Sequence, residues 1–254
     1  MKLYLAGTMY GCQGKALRAL EIEKTVSLSS LHILESFMYV DEDTEYFIPH
    51  LGDFMLDSGA FTFMTSKKDH ALDLDEYVER YADFITRNDI QKYFELDVDS
   101  IVGYSRVKEL RKKLEDLTGR PSIPVWHVSR GVDEFKCMCD EYSYVAVGGI
   151  ASKEISLKQY HVLPALIKEA HRRRCKIHGL GFTALKWLPR CHFDSVDSTA
   201  WTTGNRFGYV HYFDGRTIKI TPVPPNFRLR DAKGAAFNNF IAWAQFSRYA
   251  ETHL

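Results

Sequence analysis

The sequence lacks an excess of charge of either sign, because lysine plus arginine and aspartate plus glutamate number 33 each. A balanced chain has no global field that attracts a polyanion, so a nucleic acid would have to bind a local basic patch. Hydrophobic runs are short as well, and none approaches the roughly 18 to 20 apolar residues of a membrane span. The opening stretch from Met1 to Gly7 is too short and too soon interrupted for a signal peptide. We therefore expect a soluble, cytoplasmic protein with no membrane partner.

Cysteine is scarce, with five residues in 254, and the number is odd. A hydrophobic share of 45% supplies a core that does not need disulfide staples, so reduced thiols are the simplest interpretation. Internal repeats, low-complexity tracts and long linkers are missing too. These absences remove solenoids and chains of independent domains from consideration.

What the sequence does contain is a series of eight apolar segments at roughly even spacing, with helical patterns between most of them. Strands that alternate with helices predict parallel pairing through right-handed crossovers. We therefore predict an α/β fold, a (β/α)8 TIM barrel over residues 1–206, whose usual length this chain matches. The predicted strands are 2–7, 31–37, 53–59, 93–99, 123–128, 144–150, 176–181 and 193–198.

The pattern changes after the eighth predicted strand. Asp214-Gly215 separates two short apolar segments and predicts a tight hairpin turn. Residues 235–249 then show helical spacing. We expect this C-terminal part, residues 207–254, to pack on the barrel within one structural domain. Further helices are predicted at 15–23, 73–87, 106–117, 133–142 and 157–174.

Acidic and polar side chains gather where the predicted strands end. Asp57 and Asp197 end the third and eighth strands, Asp97 and Asp99 the fourth, and His127 the fifth. The carboxyl ends of barrel strands build the active site in this fold, so these residues are the first candidates for chemistry. Side-chain alternation places all five on the inner face of the barrel. The same alternation predicts that Glu95 also faces inward and that the outward side chains of the fourth strand are Phe94, Leu96 and Val98.

Each candidate also has a structural interpretation. An aspartate at a strand end, such as Asp97 or Asp99, often caps a helix or accepts from a loop amide. A lone histidine beside a tryptophan, as His127 is beside Trp126, is more often a hydrogen-bonded core residue than a catalyst. Carboxylates at a barrel mouth are costly to desolvate unless they are paired, protonated or used. That cost favours chemistry for Asp57 and Asp197 taken together.

Six segments, in the same order along the chain, resemble motifs of the tRNA-guanine transglycosylases, barrel enzymes that exchange guanine for a 7-deazaguanine. Phe54-Met55-Leu56-Asp57-Ser58-Gly59-Ala60-Phe61 is similar to the Asp-Ser-Gly-Gly-Phe signature of that family and is the one individually specific match. The resemblance covers about residues 1–206. The other segments are Glu95-Leu96-Asp97-Val98-Asp99, Pro124-Val125-Trp126-His127-Val128-Ser129-Arg130-Gly131, Val147-Gly148-Gly149-Ile150, His178-Gly179-Leu180-Gly181 and Phe193-Asp194-Ser195-Val196-Asp197-Ser198.

The resemblance implies that an aspartate of the eighth strand attacks C1′ of the target nucleoside and that an aspartate of the third strand moves protons. We assign these roles to Asp197 and Asp57. Asp194 matches the Phe-Asp pair of the family by letter, but it lies deeper along the strand and on its opposite face. We therefore prefer Asp197 and expect a structural role for Asp194. The residues expected to bind the substrate are Ser58, Gly59, Asp97, Asp99, His127, Gly148, Gly149, Gly179 and Leu180.

The chain departs from the tRNA enzymes in two respects. Their structural zinc site is a cysteine cluster with a histidine after strand eight, whereas no cysteine follows Cys191 here, so we expect no metal and no cofactor. The chain is also shorter and resembles the zinc-free phage and genomic-island relatives that place 7-deazaguanines in DNA. DNA is therefore slightly favoured over tRNA as the polymer. The expected phosphate contacts are Lys67, Lys68, Asn205, Arg206, Arg228 and Arg230.

Three alternatives remain open at this point. The same exchange on tRNA would use the same residues, and the polymer is set by surface shape rather than by motif letters. A nucleoside or glycoside hydrolase of the same fold would use the same carboxylates with water as acceptor. A non-catalytic nucleic-acid-binding barrel would leave Asp57 and Asp197 unexplained.

Overall fold

The computed structural model of the protein describes residues 1–8, 17–18, 26–59, 73–204, 209–222 and 232–254. Its centre is a curled sheet of seven parallel strands with helices around it. The strands β1 to β7 are Lys2–Ala6, His32–Ser36, Asp53–Asp57, Val125–Trp126, Tyr144–Val147, Lys176–Gly179 and Ser195–Ser198. Their order across the sheet is β3-β2-β1-β7-β6-β5-β4. An α/β fold with a curled parallel sheet is thus confirmed.

Helices lie between most of the strands. Those of the described residues, α1 to α8, are Glu42–Phe47, Leu74–Arg87, Asp99–Val102, Tyr104–Thr118, Gly131–Glu141, Leu163–Arg172, Leu188–Cys191 and Ala232–His253. The Asp73 carboxylate caps α2 by accepting from the second and third amides after it, and α4 ends at Gly119 in the left-handed conformation (φ 67°). The helices predicted at 73–87 and 106–117 are confirmed.

Two other helix predictions have different outcomes. Residues 157–174 were expected to form one helix, but Leu157–Val162 is a 3-10 helix and α6 begins only at Leu163. Pro164 explains the break, because a proline is tolerated in the first turn of a helix and not in its interior. Most of the helix predicted at 15–23 lies outside the described residues.

The prediction of a strand over residues 93–99 is wrong. Only Tyr93 and Phe94 pair with neighbours, in isolated parallel bridges to Leu56 of β3 and to Ile123 ahead of β4. The chain then turns, since the Val98 amide donates to the carbonyl two residues earlier at 3.0 Å, and α3 begins directly afterwards. In the described residues, the curled sheet therefore has seven strands and one bridging segment rather than eight strands.

The inner face of the sheet carries a compact apolar cluster. Tyr4, Met55 and Val125 belong to it, as alternation along β1, β3 and the fifth predicted strand requires. Phe94 belongs to it too, so the prediction that Phe94 faces outward is wrong. Leu96 and Val98 lie in the layer between the sheet and the helices, as predicted. The chain loses strand alternation immediately after Phe94, which is why Phe94 and Leu96 end on different sides.

The predicted C-terminal hairpin is confirmed. The antiparallel strands β8 (Tyr209–Phe213) and β9 (Ile218–Pro222) flank a turn with Gly215 at φ 93°. Helix α8 packs on β1, and the Ser247 hydroxyl donates to the Leu3 carbonyl at 2.7 Å. Trp201 joins the two parts, since its ring meets Phe240 at 5.1 Å. Within the described residues, no helix combines the length and the apolar character needed to cross a bilayer.

Candidate active site at the carboxyl ends of the strands

Asp57 and Asp197 lie at the same edge of the curled sheet. Asp57 is the last residue of β3, and Asp197 is the third residue of β7, which runs parallel to it. Burial raises the pKa of Asp57 to about 6, and the negative charges of Asp197 and Asp97 add to this shift. The structure thus brings three of the predicted acids within electrostatic range of one another.

The turn after β3 holds Asp57 in place. The Gly59 amide donates to Asp57 Oδ2 at 3.1 Å, and this glycine has φ 80°, where a Cβ would lie 2.4 Å from the Met38 side chain. Ser58 is fully buried, and its carbonyl accepts from the Tyr77 hydroxyl at 2.6 Å. Gly59 and Ser58 therefore fix the backbone that carries Asp57.

Asp197 is held on one of its oxygens. Its Oδ1 accepts from the Gly181 amide at 2.6 Å and lies 3.3 Å from His178 Nε2. Gly181 has φ 65°, a left-handed conformation that suits glycine. The side chain is 10% exposed, so it is largely desolvated but still reaches solvent.

Asp194 lies at the opposite end of the strand. Its carboxylate accepts from the Ile177 amide at 2.8 Å and from His171 at 2.9 Å, and its carbonyl accepts from the Lys2 amide. These contacts tie the amino ends of β1, β6 and β7 together. The position of Asp194 agrees with the structural role expected for it.

Asp97 and Asp99 lie around one buried arginine. The Arg130 guanidinium, 3% exposed, donates to Asp97 Oδ1 at 3.3 Å and to Asp99 Oδ2 at 3.1 Å. It also donates to Glu95 at 3.2 Å and stacks on the Tyr104 ring at 4.1 Å. Arg130 therefore neutralises this group of carboxylates and sets their orientation.

Glu95 is the most deeply buried of these acids, with no exposed side-chain surface. Besides Arg130, it accepts from Arg111 of α4 at 3.2 Å and from the Val125 amide at 2.8 Å. Glu95 was predicted to lie on the inner face of the fourth strand, and that prediction is wrong, because its neighbour Phe94 takes the inner face. The two arginines hold it inside the protein instead.

His127 bridges two carboxylates. Its Nε2 lies 2.6 Å from Asp97 Oδ2, and its Nδ1 lies 2.9 Å from Glu154 Oε2. Burial lowers the pKa of His127, but the hydrogen bonds to Asp97 and Glu154 outweigh it and raise the pKa to about 9. The imidazole is therefore cationic at neutral pH. With both nitrogens engaged, it orients Asp97, and direct contact with a purine stays a prediction.

The paired glycines after β5 make room for this bridge. A Cβ on Gly148 would lie 2.7 Å from the His127 ring, and a Cβ on Gly149 would lie 2.6 Å from Glu154. The Gly148 amide already donates to the Trp126 carbonyl at 2.9 Å. Packing therefore requires Gly148, and a left-handed backbone (φ 76°) favours glycine at position 149, while the predicted contact of their backbone with a purine is untested.

Gly179 and Leu180 lie at the corresponding edge after β6. A Cβ on Gly179 would lie 3.1 Å from Phe182 and Phe193, and the Leu180 amide donates to the Val147 carbonyl at 3.1 Å. Their contact with substrate also stays a prediction. All six predicted phosphate contacts fall outside the described residues: Lys67, Lys68, Asn205, Arg206, Arg228 and Arg230.

Asp97, Asp99 and His127 offer ligand atoms within 4.8 Å of one another, a spacing that would suit a metal ion. Arg130 and the imidazolium already supply positive charge to these carboxylates. A divalent cation would have to compete with both. The donor set is therefore a poor fit to a metal.

Sequence reasoning missed the cations of this site. Arg130 follows His127 by three residues, and a cluster of acids at one edge is a signal that a nearby arginine compensates them. Glu154 lies in an irregular loop and gives no pattern. Alternation along the eighth predicted strand places Ser195 on the same face as Asp197, but the sequence gives no signal that His178 lies between them.

No family model matches the chain, and no curated protein matches it either.

Proposed function

We propose that this protein is a base-exchange transglycosylase that replaces guanine in a nucleic acid with a 7-deazaguanine. In this proposal the curled sheet is the wall of a (β/α)8 barrel, with the bridging segment at residues 93–94 in the place of the eighth strand. The observation that carries the proposal is the placement of Asp57 and Asp197 at the same edge of the parallel sheet, where burial, with the charges of Asp197 and Asp97, raises the pKa of Asp57 to about 6. An acid that titrates near neutral pH beside a second carboxylate suits glycosyl exchange.

The proposed chemistry has two steps. Asp197 attacks C1′ through an oxocarbenium-like transition state while the bond from C1′ to the guanine nitrogen breaks and Asp57 protonates the leaving base. Guanine departs. The incoming 7-deazaguanine then gives a proton to the Asp57 carboxylate and attacks C1′, and the bonding electron pair returns to Asp197. Each proton taken in one step is returned in the other, as exchange requires.

The polymer in this proposal is DNA, with tRNA as the alternative. A guanine inside a duplex must leave its stack to reach a mouth at the end of the strands, which favours single-stranded or distorted substrate. Asp97, held by His127 and Arg130 and 16% exposed, is positioned to accept from the edge of the purine. We place the protein in the cytoplasm, where its nucleic-acid substrate is found.

The test is exchange of labelled guanine. The protein is incubated with DNA or tRNA that carries radiolabelled guanine, with and without a 7-deazaguanine base. We expect label to be released only when the base is present and from one polymer more than from the other. Release without the base would establish hydrolysis and overturn the proposal. No release from either polymer, together with no covalent trapping, would favour the non-catalytic interpretation.

A matched pair of variants ties the activity to the site. Asp197→Asn should reduce exchange by about 10³-fold or more, because it removes the nucleophile. Asp194→Asn makes the same chemical change three residues away, at the other end of the strand, and should keep most of the activity. Equal losses in the two variants would contradict the assignment of Asp197.

A further inference from the structure

A continuous line of buried polar groups runs from Asp197 into the sheet. His178 Nε2 lies 3.3 Å from Asp197 Oδ1, and His178 Nδ1 lies 2.5 Å from the Ser195 hydroxyl. The Tyr144 hydroxyl lies 2.5 Å from that same Ser195 oxygen. His178 has no exposed surface, and Ser195 is 1% exposed. The four side chains come from three adjacent strands, β5, β6 and β7, and the register pairs His178 with Ser195.

The direction of these hydrogen bonds follows from the groups themselves. An ionised Asp197 can only accept, so His178 Nε2 must carry the hydrogen. In a neutral imidazole Nδ1 then accepts from the Ser195 hydroxyl, and the Ser195 oxygen accepts from Tyr144. Tyr4 and Phe94 confine the ring from its sides, with centroids at 6.1 and 5.2 Å. Of the two neutral tautomers of His178, the one with hydrogen on Nε2 satisfies all of these contacts when Asp197 is a carboxylate.

We infer that His178 is a positioning residue for Asp197 and that Ser195 and Tyr144 fix its tautomer. The inference rests on the proposed function, because that proposal makes Asp197 the nucleophile. The Gly181 amide and His178 both donate to Oδ1, which leaves Oδ2 as the oxygen that forms the bond to C1′. The line of side chains thus selects which oxygen attacks.

The hydrogen bonds from the Gly181 amide and His178 to Asp197 affect the two steps of the exchange differently. Hydrogen bonds to a carboxylate stabilise the anion more than the neutral ester. When the incoming base displaces Asp197 from C1′, the electron pair returns to the carboxylate and the two donors stabilise it. Loss of the His178 donor should therefore slow the second step, in which the incoming base displaces Asp197 from C1′, more than the first step, in which Asp197 attacks C1′. The covalent intermediate should then accumulate.

The test compares two substitutions of one residue. His178→Leu removes the donor, and we expect kcat to fall about 10²-fold with little change in KM, while the trapped covalent fraction rises above that of the wild type. His178→Gln keeps an N–H near the position of Nε2 and should recover most of kcat. Ser195→Ala, which removes only the group that fixes the tautomer, should give a smaller loss. Unchanged kcat and an unchanged trapped fraction in His178→Leu would overturn the inference.

A second measurement does not depend on activity. Nitrogen-15 chemical shifts of the wild-type protein, with the His178 signal assigned by its loss in His178→Gln, should show hydrogen on Nε2 and none on Nδ1. The opposite tautomer would overturn the inference even if exchange occurs. Conversely, the expected tautomer in a protein that shows no exchange would sink the proposed function and leave the placement of His178 intact. If His178→Leu does not fold, Ser195→Ala and the wild-type spectrum still decide.

Discussion

The acids at the carboxyl edge of the curled sheet fall on two sides, and their surroundings are opposite. On one side, Asp57 and Asp197 accept from backbone amides and from His178, and in the described part of the chain no lysine or arginine bonds either of them. On the other side, four carboxylates meet two arginines and a cationic histidine: Glu95, Asp97, Asp99 and Glu154 with Arg111, Arg130 and His127.

The difference shows up in the pKa values. The pKa of Asp57 rises to about 6 because burial disfavours its charge and the nearby carboxylates repel it. The pKa of His127 rises to about 9 because the carboxylates around it outweigh its burial. The buried Asp57 carboxyl resists ionisation and is suited to moving protons, whereas the acids paired with cations are suited to a scaffold. We therefore assign chemistry to the first side and orientation to the second.

Besides Asp197→Asn, the largest expected effect on exchange comes from Asp57→Asn. The variant cannot move a proton, so we expect exchange to fall by about 10²- to 10⁴-fold. Its stability should nevertheless rise at pH 7, by about 1–2 kcal/mol, because the raised pKa marks a charge that the fold tolerates poorly, discounted for partial exposure. Asp99→Asn, on the side where the acids are paired with cations, should instead lower stability. Urea unfolding of both variants checks the comparison, and a destabilised Asp57→Asn protein would break it.

Arg130→Met should have the largest effect on stability. It leaves Glu95 with Arg111 alone and leaves Asp97 and Asp99 without their shared partner, so we expect a loss of about 3–5 kcal/mol. Arg87→Met is the matched control, since Arg87 is 54% exposed and its ion pairs lie at the surface. Denaturant midpoints measure both. Equal losses would mean that the buried arginine does not hold the acids as the contacts indicate.

The contrast between the two sides also explains which residues of the site the sequence could predict. Asp57 and Asp197 were found because strand periodicity locates strand ends and parallel strands share one edge. Residues 93–99 misled the same reasoning, because their alternation of apolar and acidic residues has the period of a strand. Glu95 is held by Arg111 and Arg130, which are distant in sequence, so the local pattern of residues 93–99 does not reveal them. The bridge between His127 and Glu154 was missed for a similar reason, since it depends on which loops meet in space.

The pH dependence that His127 confers on stability is a further expected effect. Its pKa in the folded protein, about 9, lies above the value of 6.5 for a free histidine. The histidine therefore contributes stability that is fully present below pH 6.5 and is lost as the pH rises through 9, a change of about 1–3 kcal/mol. Urea midpoints measured from pH 6 to pH 10 should show this fall, and His127→Gln should flatten it.

Glu154→Gln sharpens the same measurement, because it removes one of the two carboxylates that raise the pKa of His127. The Glu154 side chain is 33% exposed, so solvent screens its contribution, and the bond to Asp97 remains. We expect the fall in stability to occur at a lower pH than in the wild type, by part of the interval between pH 6.5 and 9. Exchange should change little. A loss of exchange as large as that of Asp57→Asn would mean that the acids paired with cations take part in the reaction. The division between the two sides of the sheet edge would then be wrong.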